Sequence, residues 1–450
     1  VSSSVAARDA AESLGAERGE LDSWHASLPP LYQDSSFWGM AATQFLGAFN
    51  DNVFKQLILL LATPAAAQAS ANGQGEDLQW AAMFVFAASF LIFSGFAGYL
   101  SDRFSKRPIV ILAKVAEIVI MLLGMIGFWF FAQIGFAGML VVLFLMGTQS
   151  AFFGPAKYGI LPEMIRARDL PRANGMFLML TFLAIIFGVA LAGALLNWFG
   201  HERVWMASLA CVGIAAVGTA TSLLVRRLPA AQPALKYEWS CWTVSTEILG
   251  LLRQDRELLR AIFVVSIFWM LGGIVQPALN ALGKTQLGLD ELKVSVLSAM
   301  VGIGIAAGCI LGGYFSRSRI NPRVVTVGGF GLLATMVAMS LPGGTHGHLL
   351  GYWGSLPVLV LMGVFTGMFI VPIQVLLQSR PPRGDKGRMI ATMNQCTWLG
   401  IILSAVLYKL CIEVLDATGG PRNLIFAATA VIMLPVALFY RPPDERLADT

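Results

Sequence analysis

Apolar runs long enough to cross a bilayer recur along the whole chain, and the first of them is interrupted by charge. The run from about Phe37 to Leu61 contains Asn50, Asp51, Asn52 and Lys55. A spanning helix needs about 20 predominantly apolar residues. A charge at membrane depth costs roughly 2.5–3.5 kcal/mol on insertion scales, so such groups persist where they face protein or water. Asp51 and Lys55 are four positions apart and therefore share a helical face. Two readings stand: a self-neutralising pair packed helix on helix, or a face that lines a water-filled cavity and meets a charged ligand.

The other runs are continuous rather than alternating, which points to helices and not to a barrel. Only 13% of the 450 residues are charged, against about 25% in soluble domains, and the mean hydropathy is +0.70. The predicted fold is all-α and integral to the membrane, with twelve transmembrane helices. The first six spans cover about 37–61, 80–100, 108–131, 136–161, 173–198 and 205–225. The last six cover about 259–282, 294–315, 323–341, 357–378, 388–411 and 422–440.

Lys and Arg set the expected orientation. Of 31 such residues, 22 fall in the two tails and in the loops after even-numbered spans, and 4 fall in the loops after odd-numbered spans. The positive-inside rule then places both termini in the cytoplasm. The pI near 9.0 follows from this asymmetry and implies no nucleic-acid partner. The five cysteines have no ligand spacing, and no disulfide framework is expected. Residues 1–36 lack the apolar core of a signal peptide. They read as a cytoplasmic tail, mostly disordered to about Gln33, with an interfacial patch at Trp24, Leu28 and Tyr32.

The loop after the second span reads Gly98-Tyr99-Leu100-Ser101-Asp102-Arg103-Phe104-Ser105-Lys106-Arg107, and Gly313-Tyr314-Phe315-Ser316-Arg317 echoes it 215 residues later. Leu145-Met146-Gly147 is matched by Leu361-Met362-Gly363, and Pro155 by Pro372. The chain therefore reads as two pseudo-symmetric six-helix bundles, at 37–225 and 259–440, before a cytoplasmic tail at 441–450. The joining segment 226–258 carries Trp239, Trp242, Ile248, Leu249, Leu251 and Leu252, which suits an amphipathic interfacial helix.

Twelve spans, two halves and G-x-x-x-D-R-x-x-K-R after the second span resemble the major facilitator superfamily. A finer set of blocks resembles its bacterial lysophospholipid transporter family. They are Gln44-Phe45-Leu46-x-Ala48-Phe49-x-Asp51-Asn52, Pro155-Ala156-Lys157-Tyr158-Gly159-Ile160-Leu161, Ala173-Asn174-Gly175, and Val371-Pro372 with Leu376-Leu377-Gln378. The resemblance implies a flippase of the bacterial inner membrane. Its substrates would be lysophospholipids such as lysophosphatidylethanolamine, moved inward for reacylation by an acyltransferase and acyl-carrier-protein synthetase, separate or fused. It implies no ion coupling. It also implies that Asp102, in the loop with Gly98, Arg103 and Arg107, faces the start of the eleventh span; Arg388, which opens that span, is the candidate salt-bridge partner there. Contacts made in one conformation alone bias the transport equilibrium; the other reading of this loop is a basic segment that only fixes topology.

The in-span polar residues supply the candidate substrate site. An ammonium calls for a carboxylate, and a phosphodiester for a lysine acting as a point charge. Asp51 and Lys157 meet these needs within the matched blocks, joined by Asn52, Lys55, Tyr158, Gln276, Gln374 and Asn394. Some family members carry an arginine near the position of Gln276; here Lys55 is expected to compensate. Lys114 and Glu117, three apart, read as self-paired, and Lys409 with Glu413 as a structural pair. Pro155 and Pro372 can bend their helices or sit as inert kinks. Gly304, Gly308 and Gly312, with Gly188 and Ala192, have the spacing of close helix packing. Phe84, Phe86, Phe90 and Phe93 read as an acyl track or as ordinary lipid-facing rings. His346-x-His348 lacks a third metal ligand and reads as a solvated outer loop. No cofactor motif, nucleophile elbow or Walker loop occurs. Two further functions fit the same pattern: a proton-coupled solute or drug antiporter with Asp51 as carrier, and a membrane scaffold for acyltransferase domains.

Overall fold

The structure, a computed structural model, describes residues 28–64, 77–166, 169–230, 233, 235–237, 239–242, 246–316, 319–344, 347–380 and 386–446. Its long helices are α1 (Ser35–Ala62), α2 (Gln79–Arg103), α3 (Lys106–Trp129), α4 (Phe131–Gly159), α5 (Leu170–Phe199) and α6 (Val204–Ser222). They continue as α7 (Arg256–Asn280), α8 (Glu291–Ser316), α9 (Pro322–Ser340), α10 (Gly351–Ser379), α11 (Lys386–Thr418) and α12 (Leu424–Phe439). Among the described residues, the strands are limited to a two-residue antiparallel bridge of Arg319–Ile320 with Glu445–Arg446.

Ten of these helices are long and apolar enough to cross a membrane, which makes the protein an all-α, multi-span membrane protein. Two of the twelve expected spans fall outside that set for identifiable reasons. α1 has the length, 28 residues, but Asn50, Asp51, Asn52, Lys55 and Gln56 dilute its apolar character. α12 has 16 residues, about 24 Å at 1.5 Å per residue, short of a hydrocarbon core of about 30 Å.

Helix starts follow local chemistry. The Asp34 carboxylate accepts from the N–H groups of Ser36 at 2.9 Å and Phe37 at 3.4 Å, capping α1. Asp255 caps α7 in the same way, accepting from Glu257 and Leu258 at 3.1 Å each. Leu28 of the expected patch is buried, as is Leu31, so these two pack on the protein, while Tyr32 is exposed; Trp24 lies outside the described residues. The expected linker helix resolves into two short pieces, a 3-10 turn at Trp239–Trp242 and a helix at Thr246–Gln254. Trp239 is exposed, and Trp242 stacks on Phe96 of α2 with centroids 5.3 Å apart.

One buried apolar cluster lies wholly within residues 252–440. Two others lie within 31–228, except that Val294 and Ala405 join one of them. α5 packs on α8 and α2 on α11. Gly304 and Gly308 press against α10: a Cβ at either would come 2.1 Å from a carbonyl oxygen, of Val360 or Val364. Gly188 of α5 instead packs on α1, beside Phe49 and Asn52. Pro155 and Pro372 lie inside α4 and α10; the non-helical residue within α4 is Gly135, at φ 62°.

Candidate functional site

α1, α3, α4 and α6 converge on a buried polar cluster. Lys114 and Glu117 are 0% and 1% exposed and form the expected ion pair. The Asn50 amide donates to the other Glu117 oxygen at 2.7 Å. Glycine makes the room: a Cβ at Gly47 or Gly218 would come 3.1 or 3.2 Å from Lys114 Nζ. Two unlike charges buried in such a place must be paired and hydrogen-bonded. Here the Asn50 bond to the same carboxylate ties α1 to α3.

Asp51, one residue on, accepts from Ser150 Oγ at 2.6 Å. Its Oδ1 is buried without a hydrogen-bond partner, as is Asn50 Oδ1. Asp51 and Lys55 do not form the ion pair their spacing allows. Lys55 donates to Asn52 Oδ1 at 3.2 Å and lies 5.4 Å from the Phe86 ring centre, while Asn52 donates to the Ala48 carbonyl at 2.7 Å. Lys157 lies 5.8 Å from the ring centre of Phe153, whose ring is also 5.9 Å from Lys114 Nζ. Gln374 is half-buried and Asn394 exposed. The side chain of Tyr158 lies outside the described residues.

A second cluster closes the distal end, where α1 and α7 finish and α2 and α8 begin. Gln276 donates to Gln56 Oε1 and to Ser298 Oγ, both at 3.0 Å. Gln56 donates to Asn280 Oδ1 at 3.1 Å, and Asn280 donates to Gln79 Oε1 at 2.8 Å. Gln79 reaches Tyr408 OH at 3.0 Å, and Tyr408 donates to Asp77 at 2.6 Å. Lys284 donates to the Leu60 carbonyl at 2.7 Å, and Thr285 to that of Pro64 at 3.0 Å. His201 and Glu291 approach to 3.0 Å. The described hydrogen bonds between residues before 226 and residues after 255 all belong to this distal group. Gln276, expected in the substrate site, is thus engaged in holding the distal end together. Sequence reasoning missed Gln56, Asp77, Gln79, Lys284 and Tyr408. The available signal was polar residues at the outer ends of apolar spans.

The near end is joined differently. Lys106 pairs with Glu163, and Arg107 donates to the carbonyls of Val225 at 2.5 Å and Leu223 at 3.2 Å. Arg103 bonds the Tyr99 hydroxyl. Gly98 has open space around it. Asp102 is exposed and makes no hydrogen bond or ion pair among the described residues; the side chain of Arg388 lies outside them. At mid-depth, Trp398 of α11 stacks on Phe90 of α2 at 3.9 Å and meets Phe86 at 6.4 Å. Phe86 and Phe90 are therefore engaged with protein, while Phe84 is 40% exposed. Lys409 and Glu413 lie 3.6 Å apart and are 42% and 59% exposed, so the pair expected to be structural sits on the surface. His348 is buried and meets the Met339 carbonyl at 3.1 Å, which corrects the expectation of a solvated loop. His346 lies outside the described residues. No cluster of three metal-ligating side chains occurs among the described residues.

Comparison with known proteins extends this geometry. The family model described as Major Facilitator Superfamily matches residues 38–405. The chain is 28% identical over 396 residues to a protein of Serratia proteamaculans named lysophospholipid transporter LplT, covering 86% of this chain and 92% of that one. It is 28% identical over 400 residues to the Escherichia coli O1:K1 protein of the same name, covering 85% and 92%. Two solved structures share the fold: a POT family transporter in complex with 5-aminolevulinic acid and a mutant of the nucleoside transporter NupG. The first has a TM-score of 0.67 at 14% identity, covering 90% of this chain and 95% of its own. The second has a TM-score of 0.64 at 12% identity, covering 89% and 98%.

Proposed function

Because the chain belongs to the Major Facilitator Superfamily and is related to bacterial lysophospholipid transporters, we propose that it is a lysophospholipid flippase working by alternating access. The observation that carries this reading is Asp51: a carboxylate half-buried at membrane depth whose Oδ1 has no partner. A carboxylate left thus is an acceptor waiting for a donor. The ammonium of lysophosphatidylethanolamine supplies that donor, and Lys157 supplies a point charge for its phosphodiester. Asn52, Lys55 and Tyr158 frame the head group, and Gln374 and Asn394 face it from the second half.

In this reading twelve spans form two six-helix bundles, 37–225 and 259–440, with both termini in the cytoplasm of a bacterial inner membrane. The distal end then faces outward and is shut, so the protein stands ready to release substrate inward. Asp102, free of the second half, engages the start of α11 when the near end closes, with Arg388 as its partner. Inward flux is drawn by reacylation through an acyltransferase.

Liposomes containing the purified protein and labelled lysophosphatidylethanolamine test this. Inward movement without a pH gradient is the expected result. Movement that requires a gradient identifies a proton-coupled antiporter. No movement, with retained binding of an acyltransferase, identifies a scaffold.

A further inference from the structure

The distal network contains a carboxylate that the transport scheme leaves unused. Asp77 is 6% exposed and belongs to the segment entering α2, outside the spans. Its Oδ1 accepts from the Gln79 backbone N–H at 3.0 Å. Its Oδ2 accepts from Gln79 Nε2 at 3.2 Å and from Tyr408 OH at 2.6 Å. Tyr408 is itself fully buried and belongs to α11, so the Asp77–Tyr408 bond joins residues 331 apart across the two halves. Gln79 also reaches the Pro277 carbonyl at 3.3 Å, which brings α7 into the same knot.

We propose that Asp77, Gln79 and Tyr408 form the latch of the distal gate, and that shutting this latch takes up one proton on Asp77. The proposal rests on the alternating-access reading but not on the identity of the substrate. When the distal end opens, Tyr408 and Pro277 leave with the second half, and Asp77 is returned to water as an ordinary carboxylate. When it shuts, the carboxylate is sealed away from water. The atoms accommodate the proton. A protonated Oδ2 donates to the Tyr408 oxygen, and the Tyr408 hydroxyl turns to the Pro277 carbonyl, 3.4 Å away. The remaining charged groups that act on Asp77 are Arg422, from the turn after α11, and Lys284, in the π-helical turn Ala281–Gln286 that follows α7. Burial raises the Asp77 carboxyl above its ordinary value, against the opposing bonds from Tyr408 and Gln79 and the charge of Arg422.

The sign follows. The shut form binds the proton more tightly than the open form, so acid favours the shut form. The effect is complete below the ordinary carboxyl value, about 3.9, and fades as pH rises through the raised one. With one proton linked, the shut-to-open ratio changes by at most about tenfold per pH unit.

Spin labels at Glu202→Cys and Ala417→Cys, on the two halves of the distal end, read this ratio as short and long distances. Native cysteines are replaced by serine. His201→Gln is carried in every sample, so that the imidazole–Glu291 contact cannot supply the response. On acidification from about pH 8 down to the ordinary carboxyl value of about 3.9, the long-distance population is expected to fall. Asp77→Asn, a neutral isostere, is expected to hold the short distance at every pH. Tyr408→Phe is expected to raise the long-distance population throughout while keeping a pH response. An unchanged pH response in Asp77→Asn, or opening on acidification, overturns the proposal. If Asp77→Asn does not fold, absence of any pH response in the parent sample overturns it equally. The readout needs no lipid substrate, so it stands or falls apart from the flippase assignment.

Discussion

The Asn50 amide donates to the Glu117 carboxylate at 2.7 Å, from a helix 67 residues away in sequence. That bond and the Lys114–Glu117 pair depend on one carboxylate, so Glu117→Gln leaves a buried ammonium uncompensated. Removing one partner of a buried pair costs about 3–5 kcal/mol. A large loss of thermal stability in detergent is expected. The double replacement Lys114→Met with Glu117→Leu should recover part of it, limited by the unpaired Asn50 amide at about 1–3 kcal/mol. A single variant as stable as the parent would show that the Glu117 carboxylate neither balances Lys114 nor holds α1 to α3 through Asn50.

Asp51 is expected to act on substrate and not on folding. Its described side-chain bond is the one from Ser150, and its other oxygen has no partner to lose. Asp51→Ala and Lys157→Ala should each lower lysophosphatidylethanolamine uptake into liposomes by at least about tenfold, the effect of losing one contact worth about 1.4 kcal/mol or more. Both variants should insert and purify normally. Uptake at the parent rate in both removes these residues from the site.

These residues were legible as chemistry but not as geometry. A charge in an apolar run is a local pattern, and it exposed Asp51, Lys55, Lys114 and Glu117 without any fold. Whether Asp51 pairs with Lys55 depends on neighbours from other helices. Ser150 on α4 takes the carboxylate and Phe86 on α2 draws the lysine. The distal latch was invisible for the same reason: Gln79 and Tyr408 are 329 residues apart, and neither stands out in its own segment. The short linker pieces escaped because Trp and Leu content fixes amphipathic character, while packing decides where each turn begins.

Gly308 tests how closely α8 and α10 must approach. A Cβ there would stand 2.1 Å from the Val364 carbonyl oxygen, whereas one at Gly313 meets nothing within 4 Å. Gly308→Ala is expected to destabilise by about 1–3 kcal/mol through overpacking. Gly313→Ala should be neutral or stabilising by up to about 1 kcal/mol, from helix propensity. Thermal unfolding of the two variants compares them directly, and equal midpoints would contradict the close contact.

Asp255 offers a pH-dependent test at the near end. It caps α7 through Glu257 and Leu258 and bonds Arg380 Nε at 2.6 Å. It lines a cavity of about 370 Å³ with Leu251, Gln254, Leu258, Arg380 and Met389, where water reaches it. Burial alone would raise its carboxyl, but the Arg380 bond and the capping N–H groups hold it below the ordinary value. The charged form is therefore the one that folding favours. Its contribution is present above the ordinary value, about 3.9, and is lost as pH falls through the lowered one. Asp255→Ala should cost about 0.5–2 kcal/mol as a lost cap, with the lost Arg380 bond added. The gap in unfolding midpoint between parent and variant should stay constant from neutral pH down to about 5, then narrow toward about 3. A gap that widens in acid would mean that the carboxyl is neutral in the folded protein, and that Arg380 does not hold its charge.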